Sequence, residues 1–524
     1  MNLRTMTRWA VAGSLTLAAA ATLGGCPLDL SFLLPAPTGD SDQTNGDAGG
    51  DTGGDVADSD ATDDMGATDK PLHERILTEL LGKTEFVSVS ETCLVCHSGQ
   101  ALDLLDTAHW NWSGAVTNIE GLEGETHGKV DLINNFCIAV PSNEGRCTQC
   151  HIGYGWKSNT PDSFFEDRNN VDCFVCHDTT GTYKKHPTAD GGGGPAAMVV
   201  DGELTTVAPA DLTEVAFNVG EPQRANCLAC HAYAGGGDNV KHGDLSSDLA
   251  DPTAEQDVHM GGMDFSCQQC HTTSGHRIAG ATALHSAEGD VSCEQCHTLT
   301  PHTGGTVGSV LNFHTDRIAC QTCHIPTFSR TQATKMEWYW DEAGEDRTDI
   351  PEQFGKPTYD KKKGRFVWDM NVRPAYRWYN GKWTRKVVNV SDTYTEAGTE
   401  DDPVVLAAPT ATADDPDAKL YPFKRFIGRQ IADTTEKRMI VPHLFGMGPG
   451  PNPFWAKFDW GLAAEEGAAY AGQPFSGDWG FVNTVSYLSI NHEVAPADQA
   501  LSCEDCHGVA SFWEEIGIED PLDF

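Results

Sequence analysis

Eight times in this chain two cysteines stand three positions apart with a histidine directly after the second: Cys93/Cys96/His97, Cys147/Cys150/His151, Cys173/Cys176/His177, Cys227/Cys230/His231, Cys267/Cys270/His271, Cys293/Cys296/His297, Cys320/Cys323/His324 and Cys503/Cys506/His507. Composition alone predicts roughly 0.02 such matches, so chance does not account for them. In each, the two thiols can bond the vinyl groups of a haem and the histidine can bind its iron. Zinc ribbons pair two CxxC units without a histidine after each, and a disulfide framework has no use for that histidine. The motifs therefore read as sites for eight covalently attached haem c groups.

Sixteen of the 18 cysteines are used in this way, leaving Cys26 and Cys137. Cys26 follows Arg4, Arg8, an apolar run from Trp9 to Leu23 and Leu23-Gly24-Gly25. The run is shorter than the roughly 20 residues of a membrane span. The segment resembles a bacterial lipoprotein signal peptide at 1–25, which implies a lipid anchor on Cys26 and export to the periplasm or cell envelope. From Pro35 to Lys70 the chain holds ten aspartates and almost nothing apolar. Residues 26–70 are thus expected to be an acidic, disordered tether.

Beyond it, residues 71–325 carry motifs one to seven, and the haem-poor residues 326–524 carry motif eight. Seven motifs between Cys93 and His324 leave too few side chains for a conventional core, so the haems themselves must be the core. The expected fold class is a multihaem cytochrome c, mainly α and irregular loops wrapped around a packed array of eight haems, with little β. The haem-poor stretch includes Lys335-Met336-Glu337-Trp338-Tyr339-Trp340 and Phe366-Val367-Trp368, and an acidic piece at 395–418 that reads as a surface loop or insertion.

The formal charge is −41, which opposes binding to nucleic acid or an anionic membrane surface and favours cationic redox partners. An anionic substrate would need a local basic patch. Arg146, Lys157, Lys184 and Lys185 lie near motifs two and three, although solvated surface charge or haem propionate pairing explains most such residues.

Twenty histidines minus eight in motifs leaves His73, His109, His127, His186, His242, His259, His276, His285, His302, His314, His443 and His492. Seven haems with two imidazoles each would use seven of them. A six-coordinate iron passes electrons, whereas catalysis at iron needs an exchangeable position. His259, Cys267, His271 and His276 recur 26 residues later as His285, Cys293, His297 and His302. His259 and His285 precede their next motif cysteine by eight residues and His314 by six, spacings that can return an imidazole to a nearby iron. Together with His109, His186, His276, His302, His443 and His492 they form the set of candidate distal ligands.

The segments from Asn135 to Glu144, His151 to Lys157 and Asp178 to Lys185 resemble the octahaem tetrathionate reductases, as do those around Lys241-His242-Gly243-Asp244, Asp316 to Cys320 and Ser489 to Glu493. The resemblance spans residues 80–510. It implies seven bis-histidine haems and one catalytic haem, the second, with a lysine ligand and a nearby non-haem cysteine. On this chain those are Cys147, Cys150 and His151, with Cys137 as the extra cysteine and Lys241 as the lysine; Lys157, Lys184 and Lys185 compete for that role. A lysine binds iron only as the neutral amine, so burial is expected around it. A thiolate at Cys137 could attack sulfur–sulfur bonds, and Tyr154, Asp244 or His242 could relay protons. Tetrathionate, nitrite or hydroxylamine would be the small inorganic substrate. Redox proteins or quinol-linked cytochromes would supply electrons, and a closed homo-oligomer is compatible with the chain. An electron conduit without substrate chemistry is the competing reading.

Overall fold

The computed structural model describes residues 70–185, 210–280, 291–389, 391–446 and 449–518. Cys26, the tether, His186 and His285 lie outside them. The described residues belong to one compact unit, Lys70–Phe524, in which residues 71–325 and 326–524 interlock through bridges such as Ile119 to Trp383 and Ile318 to Leu420. None of the described helices is long and apolar enough to cross a membrane.

Up to His324 the chain forms short helices separated by loops. Several motifs occupy a helical turn, as in Phe174–His177, Arg224–His231, Cys320–His324 and Cys503–His507. This follows from the motif itself, since residues i and i+3 of a helix share one face and so aim both thiols at one ligand edge. Reciprocal caps start two of these helices: Gln223 with Asn226, and Ser502 with Asp505. The apolar clusters here are small, for example Val89, Leu94 and Ala101, or Leu228, Ala232 and Leu249.

The expectation of little β is corrected by the haem-poor region, which builds a nine-stranded mixed sheet. Its order runs Trp383–Arg385, Val404–Pro409, Trp479–Ser489, Lys419–Asp433, Thr334–Tyr339, Gly364–Asp369, Tyr359–Asp360; Ala375–Tyr379 and Arg438–Met439 also pair with Lys419–Asp433. With no haem motif between His324 and Cys503, this stretch must bury its own side chains. Alternation supplies them: Phe366 and Trp368 point inward from one strand, Tyr376 and Trp378 from another. Phe366 and Trp368 join Trp338, Trp340, Phe426 and Trp460, while Tyr376 and Trp378 pack with Leu420, Phe512 and Trp513. The piece at 395–418 is likewise more than a surface loop. It contains Val404–Pro409, an interior strand parallel to Trp479–Ser489, with Val404 and Leu406 fully buried.

Lys419–Asp433 is the strand that positions the site. Its Phe426 carbonyl accepts from Asn135 Nδ2 (2.7 Å), and Gln430 Nε2 donates to the Asn134 carbonyl (3.2 Å), docking the loop that carries Cys137. From the same strand the fully buried Lys424 donates to the Val240 carbonyl (2.8 Å) and Thr334 Oγ1 (2.7 Å), docking the turn that carries Lys241. Gly428 permits this approach, because a Cβ there would stand 2.7 Å from Asn135 Cβ and 2.8 Å from Thr484 Oγ1. Gly428→Ala is therefore expected to destabilise the holoprotein by about 1–3 kcal/mol, the usual cost of overpacking. An unchanged midpoint in thermal unfolding would show that the loop is not pressed against the sheet.

Candidate functional site

Seven of the eight motif histidines face a second histidine ring. The centroid separations are 6.5 Å for His97 and His73, 6.5 Å for His177 and His276, 6.1 Å for His231 and His109, 6.3 Å for His271 and His492, 6.1 Å for His297 and His259, 6.2 Å for His324 and His302, and 6.2 Å for His507 and His314. A metal–imidazole bond of about 2 Å on each side, plus roughly 1 Å from nitrogen to ring centre, sums to about 6 Å. Each pair can thus clamp one iron. Backbone and side-chain acceptors set the rings: Nδ1 of His177 donates to Gly220 O (2.8 Å), of His271 to Ala279 O (2.8 Å), and of His314 to Val310 O (2.8 Å). His302 Nδ1 donates to Asn312 Oδ1 (3.1 Å), and His492 Nδ1 to Asp244 Oδ2 (3.3 Å). That fixes the tautomer and leaves Nε2 for a metal.

Pairing differs from what local spacing suggests. His259 faces motif six, although it precedes motif five, and His314 faces motif eight, although it precedes motif seven. His73 is not in the candidate distal set; its signal is its place as the one histidine before motif one. His443, by contrast, faces no motif histidine. Its Nδ1 donates to Glu466 Oε2 (2.9 Å) and its Nε2 meets Phe445 O (2.8 Å), so both nitrogens are spent on structure.

Motif two breaks the pattern. The short helical turn ends at Cys150, and His151 is extended (φ −76°, ψ 142°). Its ring lies fully buried among Trp110, Trp112, Trp156, Phe164 and Phe165. Here Nε2 donates to Trp110 O (2.7 Å), the reverse of the Nδ1 bonds above. Lys185 reinforces this by donating to the carbonyls of His151 and Gly153. His151, expected as an iron ligand, is not among the residues lining the cavity that Cys147 and Cys150 border.

That cavity measures about 2180 Å³, well beyond the roughly 300–1,000 Å³ of a single-ligand pocket. Attachment cysteines of motifs two to eight line it, with His109, His259, His302, His314 and His492. Contacts between thiols order the motifs: Cys93 with Cys173, Cys150 with Cys230, Cys227 with Cys267, and Cys293 with Cys320. Cys176 lies near Cys227, Cys270 near Cys296, and Cys323 near Cys506. Attachment points therefore run 1–3–4–5–6–7–8, with motif two branching from motif four. Thiol pairs, apposed imidazoles and a large connecting void fit covalent haem.

Motif one differs from the others in the exposure of Cys96 outside the cavity. Cys270, Cys296 and Cys503 are exposed as well but line the cavity, whereas Cys96 is exposed and lies outside it. The cause is helical phase. Helix Leu94–Leu105 buries Leu94 and Ala101, and Cys96, two residues past Leu94, is rotated about 200° from that face. Cys93, the last residue of the preceding turn Val89–Cys93, points inward to Cys173 instead. Motif one thus sits at the outer end of the array, with one thiol facing motif three and the other facing out.

A crystal structure of octahaem cytochrome c from Shewanella oneidensis is 41% identical to this chain, with a TM-score of 0.72 over 83% of this chain and 94% of that one. The chain belongs to the octahaem c-type cytochromes. The family model Cytochrome c bacterial matches residues 335–510 of this octahaem cytochrome, and Cytochrome c554 and c-prime matches residues 92–178. An uncharacterized protein of Archaeoglobus fulgidus is 26% identical over 234 residues, covering 36% of this chain and 74% of that one. Covalent haem c and electron transfer follow from this membership.

Around motif two of the cytochrome, Cys137 and Lys241 both line the cavity. Lys241 is completely buried, and burial, with Lys129 and Arg385 nearby, lowers its pKa to about 7. Burial pushes the Cys137 thiol up, while Lys363, Lys335, Arg146 and Lys129 pull the other way. Gly236, at φ +85°, brings its backbone against the Cys137 sulfur, where a Cβ would stand 3.5 Å away. His242 and Asp244 line the cavity too. Tyr154 does not: its hydroxyl meets Tyr183 (2.7 Å), which donates to the buried Asp172 (2.6 Å). Of the four cations expected near the site, Arg146 reaches the cavity, whereas Lys157, Lys184 and Lys185 do not. Lys129 and Arg385 do reach it, and no spacing in the sequence marks them.

His73→Ala, His276→Ala and His492→Ala are each expected to convert one low-spin ferric haem to high spin in electron paramagnetic resonance, while His443→Ala leaves every haem unchanged. A new high-spin signal in His443→Ala would refute this pairing. The antiparallel pair Ser113–Ala115 and Thr126–Gly128, just before Lys129, carries its own pH dependence. His127 is buried between Asp131 (2.6 Å) and Glu125 (3.0 Å), and those carboxylates raise its pKa against burial. Stability from this cluster is complete below the ordinary pKa of about 6.5 and lost as pH rises through the higher folded value. Raising pH from about 6 to about 8.5 should lower the melting temperature more in wild type than in His127→Gln; equal slopes would exclude the cluster as the source.

Proposed function

We propose that this chain is an exported reductase in which electrons pass along histidine-paired haems to the second haem, where a small oxidised inorganic compound is reduced. Motif two carries this reading, since a buried lysine and a cysteine flank it where the other seven have a histidine pair. The haem held by Cys147 and Cys150 would supply an iron with an exchangeable position and one-electron chemistry. Lys241 would be its ligand in place of His151. A pKa near 7 leaves a substantial share of its amine neutral at physiological pH, the form a ligating lysine needs.

Tetrathionate is the leading substrate: two electrons break its central sulfur–sulfur bond and release two thiosulfates. Cys137 faces the same cavity and can position or exchange with a sulfur chain as its thiolate. Nitrite and hydroxylamine are the alternatives, with His242 and Asp244 placed to carry the protons they consume. Anchorage through Cys26, a cell-envelope location and supply of electrons by redox proteins complete the proposal. The run of seven paired motifs, 1–3–4–5–6–7–8, favours a second reading, an electron conduit.

Visible and electron paramagnetic resonance spectra of the ferric holoprotein, with and without tetrathionate, nitrite and hydroxylamine, separate the two. One ligand-responsive haem is expected, altered in Lys241→Ala. Cys137→Ser should lower tetrathionate turnover by about 10- to 100-fold with haem content intact. Eight unresponsive low-spin haems would establish the conduit instead.

A further inference from the structure

Two cations, Lys129 and Arg385, lie near Lys241 beside motif two. Lys129, Lys241 and Arg385 line one cavity, and Lys129 and Arg385 are both near enough to oppose protonation of Lys241. With 76 acidic against 35 basic residues in the chain, carboxylate partners are abundant, yet none of the three makes an ion pair among the described residues. Each rests against an aromatic ring instead: Lys129 Nζ is 3.8 Å from the centre of Trp112, Lys241 Nζ 5.8 Å from Phe136, and the Arg385 guanidinium carbon 4.9 Å from Trp383. Ring faces attract a cation but leave most of its N–H bonds unused. Arg385 Nε is buried with no hydrogen-bond partner among the described residues. Such a cluster is repulsive on its own and is relieved by an anion.

We propose that Arg385 and Lys129 form an anion-binding subsite of the substrate pocket, taking the oxyanion group of a small inorganic substrate. The inference rests on the pocket reading above and names its substrate class as anionic. Arg385 supplies the planar fork that binds two oxygens at once, and Lys129 a point charge. The position of Arg385 at the end of strand Trp383–Arg385, hydrogen-bonded in register to Val404–Pro409, holds the guanidinium on a rigid element. A haem propionate is the other carboxylate-like source that could meet the same cations, and the experiment distinguishes it.

The test is a spectral titration of the ferric holoprotein with nitrite and with hydroxylamine, which is uncharged at neutral pH. In Arg385→Gln the dissociation constant for nitrite should rise by about tenfold or more, while that for hydroxylamine stays within about twofold and Arg385→Lys recovers part of the loss. Lys129→Gln should show the same selectivity and serves as the second variant should Arg385→Gln fail to mature. Equal weakening of both ligands, or unchanged nitrite affinity with a shifted reduction potential of one haem, would assign these cations to a propionate and overturn the subsite. If neither ligand perturbs any haem of the wild type, the pocket reading itself falls.

Discussion

Two imidazoles that are to share one iron must stand on opposite sides of it at a fixed separation, and seven pairs of histidine rings in this fold meet that constraint. The separations all fall between 6.1 and 6.5 Å. Satisfying them takes histidines from distant parts of the chain, such as His492 for motif five and His314 for motif eight. Helices are correspondingly short, because each need only present one cysteine pair or one ring. Carbonyls of Gly220, Ala279 and Val310 then hold ring orientation, so loop backbone performs work that side-chain packing performs in an ordinary core.

Where no haem is attached, conventional physics returns. The region after His324 buries tryptophans, phenylalanines and tyrosines across a mixed sheet, and the sheet becomes the rigid body against which motif two is set. One strand, Lys419–Asp433, holds the Cys137 loop through Asn135 and the Lys241 turn through Lys424. Burying a lysine such as Lys424 is costly, and its two hydrogen bonds offset part of that cost. The cost is tolerated at a point where the Cys137 loop and the Lys241 turn are held in register.

Charge is distributed on two scales. A net −41 sets the outer field, and it repels small anions at long range. Close to motif two, Lys129, Arg385 and Arg146 place positive charge on the wall of one cavity. Within a Debye length of about 8 Å local charges outweigh distant ones, so the inner wall sets the field there.

Haem attachment was legible in the sequence because both thiols and the histidine come from five consecutive residues, so spacing alone encodes the chemistry. Cys137 stood out for the same arithmetic reason, as a cysteine left over. The sheet was not legible, since its strands carry short, irregular alternations that acquire meaning only when Lys419–Asp433 lies between its neighbours. Nor was the pairing of histidines, because ring apposition joins residues at arbitrary separations along the chain: His73 was overlooked and His443 overcounted. How deeply each thiol is enclosed was equally hidden, and the outward phase of Cys96 depends on which helix face Leu94 and Ala101 bury. Motif two shows the division most clearly. Its five residues obey the same pattern as the other seven, yet an aromatic cage, the Trp110 carbonyl and the Lys185 clamp hold His151 out of the cavity lining. Those partners lie outside the motif, and only the tertiary structure could bring them to it.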